Sequence, residues 1–448
     1  MATGPPRLRW RERVVGLVSH VVDPPDGSMV VVPGGPLLGR IRVPGDKSIS
    51  HRVLMLAALA DGTSTVRGLS DGGDVACTRR IIEALGADVV DVADSTISIR
   101  GGRLEAVDHP LDVGNSGTGI RLLAGLLAGQ PFRSVLDGDA SIRRRPMDRV
   151  VDPLRLMGAT VTGRDGLSLA PLVIDGGGLN SIEYRLPVAS AQVKGCVLFA
   201  GLSADGPTTV VEDRPSRAHT EELMTAFGLT LDRGSDGDLT SVTVQPGRPT
   251  AVDHDVAGDP SQAAFWAVAA SILPGSEVVV GNVYAGPARS GFVDVLSRMG
   301  ADIIHDPATG DLTVRHCGLM GTVVSAEEVP GLVDEVPILA VAAACADGET
   351  RFEGVGELRV KESDRLATVE SELGRMGADV RVDGDTLVVR GGALTGAGVD
   401  SHHDHRIAMA CAVAALVADG PTTIGGWDAV ATSYPTFRAD LDLLRGGT

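Results

Sequence analysis

The chain has 448 residues, 43% hydrophobic and only 3% aromatic, with a formal net charge of −18. That length and apolar content are enough for two or more domains with substantial cores. The negative charge argues against broad contact with nucleic acid or an anionic membrane, so any anionic ligand must meet a local basic pocket.

Residues 1 to about 30 carry Arg and Pro but no apolar run of signal-peptide length, and read as a loose tail. The longest apolar stretches break at about 15 residues, short of a membrane span. Five scattered cysteines, Cys77, Cys196, Cys317, Cys345 and Cys411, are odd in number and form no Cys-x-x-Cys pair. They fit buried, reduced thiols in a cytoplasmic protein better than a disulfide framework or a zinc site.

Beyond the tail, apolar Ala-rich helical runs with polar heads recur at intervals of roughly 70 residues, the mark of a copied supersecondary unit. They begin near Lys47, Thr118, Ser190, Pro260, Asp334 and Arg406. Between them an amphipathic helix ends at a Gly stop (Leu85-Gly86-Ala87, Met157-Gly158-Ala159, Phe227-Gly228-Leu229, Met299-Gly300-Ala301, Met376-Gly377-Ala378) and leads into two strands. Asp383-Gly384-Asp385 marks one hairpin turn. The apolar helices should be buried, with amphipathic helices and strands around them. Six units divide most simply into two lobes of three, with one crossing near Thr250 to Asp253 and another at Val43-Pro44-Gly45-Asp46. That division gives residues 46–252 to one lobe and 1–45 with 253–448 to the other.

The heads carry the chemistry, because helix N-termini present unpaired N–H groups and a partial positive charge. In Lys47-Ser48-Ile49-Ser50-His51-Arg52 the cations sit at the unfavourable end of the macrodipole, which makes sense if an anion binds there; a solvated, Ser-capped start is the plainer alternative. Gly114-Asn115-Ser116-Gly117-Thr118-Gly119-Ile120-Arg121 lets a ligand approach the backbone, and Arg143-Arg144-Arg145-Pro146 offers in Arg145 a fork for phosphate or carboxylate. Ser190-Ala191-Gln192-Val193-Lys194 supplies a hydroxyl, an amide and an ammonium, although Ser190 also reads as an ordinary cap. Asp259-Pro260 is explained by capping alone. Asp334 and Glu335 are acids at a helix start, where stabilisation and chemistry both fit. Lys361 and Arg365 stand i, i+4 at the start of an amphipathic helix. His402-His403-Asp404-His405-Arg406 lacks the i, i+4 histidine pair of a helical metal site, and Arg406 fits an anion better.

The heads in order resemble those of the EPSP synthase (3-phosphoshikimate 1-carboxyvinyltransferase) family of enolpyruvyl transferases. The resemblance runs from about residue 35 to 440 and rests on Pro44 to Arg52, Gly114 to Arg121, Ser190-Ala191-Gln192, Leu358-Arg359-Val360-Lys361-Glu362-Ser363-Asp364-Arg365 and Asp404-His405-Arg406-Ile407-Ala408-Met409. It implies an α/β (α+β) fold, a two-lobed inside-out α/β barrel with three β-α-β-α-β-β repeats per lobe and buried parallel helices. It also implies enolpyruvyl transfer from phosphoenolpyruvate to the 5-hydroxyl of shikimate 3-phosphate, by a monomer, without metal or organic cofactor, and inhibition by glyphosate.

By the same resemblance, Lys47, Ser48, Arg52, Ser190, Ala191, Gln192, Arg217, Asp334 and Lys361 hold shikimate 3-phosphate. Lys47, Asn115, Gly117, Arg145, Gln192, Lys361, Arg365 and Arg406 hold phosphoenolpyruvate. Asp334 takes the hydroxyl proton, and Glu362 with Lys47 serves the methylene carbon. Three departures stand out. Asp46 replaces a common Ser and places an acid beside Lys47; Ala191 replaces a second Ser; and Ser433 replaces a Lys that contacts phosphoenolpyruvate. The sister transferase acting on UDP-N-acetylglucosamine is a rival, but it carries Lys-Asn where this chain has Lys47-Ser48. A non-catalytic binder of phosphorylated metabolites is another, opposed by the presence of both Asp334 and Glu362.

Overall fold

Two kinds of helix alternate along the chain. In the computed structural model, which describes residues 27–446 except 94, 167, 238, 287 and 288, they pair as α1 (Lys47–Leu59) with α2 (Gly73–Ala84), α3 (Gly117–Ala128) with α4 (Asp148–Leu156), and α5 (Ala191–Gly201) with α6 (His219–Ala226). The series continues as α7 (Pro260–Ile272) with α8 (Gly291–Arg298), α9 (Val336–Ala344) with α10 (Arg365–Arg375), and α11 (His405–Ala415) with α12 (Phe437–Gly446). The first member of each pair is apolar nearly all round and buried: every residue of α7, α9 and α11 is inside. The second is amphipathic, as in α8, which buries Phe292, Val295 and Leu296 at helical spacing. The Gly stops behave as their positions dictate. Gly86, Gly158, Gly228, Gly300 and Gly377 take φ between +77° and +101°, the left-handed turn that ends a helix and redirects the chain into a strand.

The strands form six small open sheets with one repeating order, giving a mixed α/β fold. Leu111–Asp112 lies parallel to Arg133–Asp137, which pairs antiparallel with Leu172–Asp175, itself antiparallel to Thr160–Thr162. Two sheets take their parallel strand from far away in sequence. Leu38–Ile41 joins Glu277–Val280, and His254–Asp255 joins Gly62–Arg67. The three-stranded sheet is completed by Met29–Val31 against Thr422–Gly425. The expected hairpin is present, with strands Asp379–Asp383 and Thr386–Arg390. The loose tail expected before residue 30 lies largely outside the described residues.

Buried apolar side chains gather into two cores. One draws only on residues 49–256, and the other on residues 29–43 together with 263–444. The chain passes between them twice, and the two passages run side by side: Asp46 N–H donates to Ala257 O at 2.7 Å and Asp259 N–H to Pro44 O at 2.9 Å. The second passage falls a few residues later than Thr250 to Asp253, because His254 and Asp255 still pair with the strand Gly62–Arg67. Cys77, Cys196 and Cys411 are buried, whereas Cys317 and Cys345 are partly exposed; all five are free. No helix among the described residues is long and apolar enough to cross a membrane.

Within the first core α3 and α5 approach so closely that a Cβ on Gly125 would lie 2.0 Å from the carbonyl oxygen of Cys196. Backbone cannot yield there without moving a helix. Gly125→Ala is expected to cost about 1–3 kcal/mol, read as a lowered urea midpoint. Gly392→Ala, where the added carbon meets nothing within 4 Å, should be nearly neutral.

Candidate active site

All six buried helices begin at one place. A cavity of about 470 Å³ between the two cores is walled by Lys47 and Ser48 of α1, Gly117 and Thr118 of α3, Ala191 and Gln192 of α5, Ser261 of α7, Asp334 just ahead of α9, and Arg406 of α11. Among the described residues ten Lys or Arg side chains line it against five carboxylates, although the whole chain is acidic. Aligned helix N-termini add their own partial positive charges, so the wall favours anions twice over.

Two of the wall cations, Arg121 and Arg52, lack full compensation. Burial, then repulsion from Arg145 and Arg149, pushes Arg121 down to about 10; burial alone outweighs the nearby acids in pulling Arg52 to about 10. Other cations are compensated by acids behind the wall, such as Asp74 at Lys47 and Asp404 at Arg365, and by two carboxylates on it. Asp334 meets Arg217 at 3.2 Å, Arg365 at 3.4 Å and Lys361 at 3.9 Å, and its carbonyl accepts from Arg406 at 3.0 Å. Glu362 meets Arg365 at 2.5 Å and Arg145 at 3.5 Å. Burial by itself would protonate these acids. Arg406, Lys361, Arg217 and Arg365 overcome it at Asp334, and Arg365 and Arg145 lead at Glu362, so both carboxyls are held well below their ordinary range. Two of these contacts, Arg217–Asp334 and Arg145–Glu362, join side chains belonging to different cores.

The remaining expected residues are placed by local structure. Ser190 caps α5 by accepting from Val193 N–H, and the Ala191 carbonyl accepts from Arg52 at 3.3 Å. Gln192 is held to α3, accepting from Arg121 at 2.9 Å and donating to Thr118 Oγ1 at 3.0 Å. The Lys47 ammonium pairs with Asp74 at 3.0 Å. A Cβ on Gly117 would come within 2.6 Å of Arg145 Nη1, so glycine there leaves the guanidinium its position.

Several sequence expectations are corrected. Asn115 is not on the cavity wall; its side chain sits behind, accepting from Arg145 at 3.4 Å. Asp46 does not face the Lys47 ammonium, because its carboxylate caps Ile49 N–H and meets Arg289 at 2.7 Å. Lys361 and Arg365 are not one helical face: α10 starts at Arg365, and Lys361 lies in the turn before it. Glu335 stands at the N-cap position of α9 as an acid at the helix start, but its side chain makes no capping bond and accepts from Ser261 Oγ. Asp259 does more than cap α7, since it also accepts from the Lys47 backbone N–H at 3.1 Å and from Arg289. Ser433 is buried away from the wall, behind Gly72. Among the described residues no group of three or more His, Cys, Asp or Glu is placed to hold a metal ion, and Asp404 instead accepts from Arg365 at 2.7 Å and from Arg406 N–H.

Sequence reasoning passed over Arg121, Arg149, His219 and Arg289, all on the wall. Arg121 closes a motif that was visible, and its cation in a helix start was the available signal; Arg289 follows no recognisable pattern.

The family model for EPSP synthase (3-phosphoshikimate 1-carboxyvinyltransferase) matches residues 31–441. The chain belongs to the EPSP synthase family. It is 48% identical over 429 residues to a 3-phosphoshikimate 1-carboxyvinyltransferase of Synechococcus sp., covering 93% of this chain and 96% of that protein. It is 49% identical over 427 residues to one from Synechocystis sp., covering 92% and 95%. An EPSP synthase structure from Acinetobacter baumannii superposes with a TM-score of 0.81 at 39% identity, covering 93% of this chain and 97% of that one. The enolpyruvyl transferase NikO from Streptomyces tendae, at 19% identity and a TM-score of 0.74, covering 93% and 97%, shares the fold.

Lys194 turns away from the cavity. Its ammonium meets the buried Glu212 and Glu221, both at 2.7 Å, and the half-buried Ser216 carbonyl at 3.3 Å, and so fixes the segment that carries Arg217. Lys194→Met leaves two carboxylates unpaired in the interior and is expected to cost about 3–5 kcal/mol in unfolding free energy.

Three buried histidines make a second expectation. Burial, then Lys47 and Arg52, pushes His51 down to about 3; burial, then Lys47, takes His405 to about 4; burial with Arg52 holds His219 well below its ordinary 6.5. Folded values below the unfolded value mean that the unfolded chain binds protons the folded chain refuses. Stability contributed by these rings is therefore complete above pH 6.5 and is lost as pH falls toward 4. The unfolding free energy from urea titrations should fall ever more steeply from pH 7 to 5, its slope approaching roughly 1.4 kcal/mol per pH unit for each ring near pH 5; a flat profile would show that the rings take up protons in place.

Proposed function

We propose that this chain transfers the enolpyruvyl group of phosphoenolpyruvate to the 5-hydroxyl of shikimate 3-phosphate, releasing phosphate. The observation that carries this reading is the meeting of six helix starts, ten cations and the two carboxylates Asp334 and Glu362 in one cavity shared by both cores. Two multiply charged anions repel each other, and only a concentrated, preorganised positive field brings them into contact.

In this reading Ser48, Arg52, Ser190, Gln192 and Arg217 bind shikimate 3-phosphate, with the Ala191 backbone and Lys361 beside it. Lys47, Gly117, Arg145, Arg365 and Arg406 bind phosphoenolpyruvate. Asp334 removes the proton from the 5-hydroxyl as its oxygen bonds to the enol carbon, and Glu362 with Lys47 delivers a proton to the methylene. The resulting tetrahedral ketal loses phosphate as the C–O bond breaks and a proton leaves the methyl group. The internal ion pairs support this order of events. Both acids are held as anions by the cations that surround them. Substrate phosphate and carboxylate groups neutralise those same cations, which lets Glu362 become an acid and makes Asp334 a stronger base.

The two cores are read here as two lobes, residues 46–252 with the strand His254–Asp255, and the rest, each with three sheets surrounding three buried helices. That is an inside-out barrel in layout, although every sheet is open. A monomer suffices, because a single chain supplies every group named.

Phosphate release from phosphoenolpyruvate, with shikimate 3-phosphate and UDP-N-acetylglucosamine offered in parallel, tests the reading; turnover with the second acceptor alone would replace it with the sister reaction. Asp334→Asn should slow turnover by about 10²–10⁴-fold. The same variant should bind shikimate 3-phosphate at least as tightly, since one internal competitor for Arg217 is gone. Near-normal turnover would exclude Asp334 as the base.

A further inference from the structure

Arg289 is 3% exposed and lies on the cavity wall, yet no motif singles it out. One Nη2 donates to Asp46 Oδ2 at 2.7 Å and to Asp259 Oδ1 at 2.5 Å. Nη1 donates to Ser261 Oγ at 3.1 Å and stands 3.8 Å from Glu335. Each partner is the start of a helix that carries site residues. Asp46 caps the first turn of α1, which presents Lys47, Ser48 and Arg52. Asp259 caps α7 and also accepts from Lys47 N–H. Glu335 adjoins Asp334 and accepts from the Ser261 hydroxyl. One guanidinium thus ties both passages between the cores to the turn that carries Asp334.

We infer that Arg289 is a positioning residue for the reaction, fixing the Lys47 side of the cavity relative to Asp334 through Asp46, Asp259, Ser261 and Glu335. This rests on the enolpyruvyl-transfer reading above. It also accounts for Asp46. A serine there would still cap α1, but it would remove one of the three carboxylates that face Arg289, so the acid belongs to the arginine and not to Lys47. The buried surroundings prevent water from screening these bonds, and three carboxylates around one point separate unless a forked cation holds them. Burial disfavours the charge on Arg289, but Asp46, Asp259 and Glu335 more than offset it, so the clamp stays charged.

Arg289→Lys and Arg289→Gln, made in the full chain, test the inference by separating charge from fork geometry. Arg289→Lys keeps the charge without the fork. It is expected to recover most of the thermal stability lost in Arg289→Gln, while its kcat stays about 10- to 100-fold below wild type. Calorimetric affinity for shikimate 3-phosphate should remain within roughly threefold of wild type in the lysine variant, because all the proposed contacts except Lys361, namely Ser48, Arg52, Ser190, Ala191, Gln192 and Arg217, lie on the first core's side of the cavity. In the Asp46→Ser/Arg289→Gln double variant stability should exceed that of Arg289→Gln alone, one unpaired buried carboxylate having been removed. If kcat in Arg289→Lys recovers together with stability, or shikimate 3-phosphate affinity collapses in parallel with kcat, the residue is structural only and the inference fails. Wild-type protein in the same assay separates the two questions: no turnover there removes the enolpyruvyl-transfer reading itself, whereas an active wild type with a fully active lysine variant overturns the role of Arg289 alone.

Discussion

Crowded positive charge, partly neutralised by carboxylates from the opposite core, is the constraint around which this molecule is built. Arg217 with Asp334 and Arg145 with Glu362 are ion pairs made across the gap. Each occupies a cation that an anionic ligand would also seek. The cavity walls are thus held together by interactions that an anionic ligand would exchange for its own. Exposed ion pairs elsewhere, such as Arg100–Asp88, sit in water and carry little of this weight.

The repeat supplies the positions. An apolar helix can be buried on all sides only if amphipathic helices and sheets enclose it, and three such helices per core leave their N-termini together at one end. Two cores placed with those ends facing make a cavity out of backbone direction, before any particular side chain is considered. The exchange of strands between passages, with Leu38–Ile41 in one core's sheet and His254–Asp255 in the other's, ties the connection into hydrogen-bonded sheet at both sides. It is the reason the passages lie close enough for Arg289 to reach both.

Behind the wall a further layer holds the functional side chains. Lys194 anchors the segment of Arg217, Asp404 accepts from Arg365 while capping α11, and Gln192 is bonded to α3. Buried polar groups of this kind need partners, and here the partners are the residues that shape the site. Asp404 shows how the sequence could mislead: among three histidines it resembles a metal ligand, yet its oxygens serve a helix cap and an arginine.

How much was legible in the chain follows from range. Helix identity, the left-handed Gly stops, the hairpin at Gly384 and the polar heads depend on neighbours within a few residues, so periodicity and turn chemistry revealed them. The basic heads at Lys47 and Arg406, and Arg145 beside its proline, even carried the expectation that cations there serve anions. Direction and partner choice over long separations were not legible. Asp46 looked like a neighbour of Lys47 because sequence distance is all a string records, while in the folded chain a carboxylate turns toward whichever buried cation compensates it, and that cation is 243 residues away. Asn115 and Ser433 looked like wall residues and are not, since which face of a turn meets the cavity depends on how two cores pack. The amino-acid order alone determined the repeated units and their charged starts, through local backbone preference and hydrophobic period. Only the tertiary arrangement decided which starts converge, which acids neutralise which cations and which residue clamps the two passages, because burial and Coulomb interaction act through space and not along the chain.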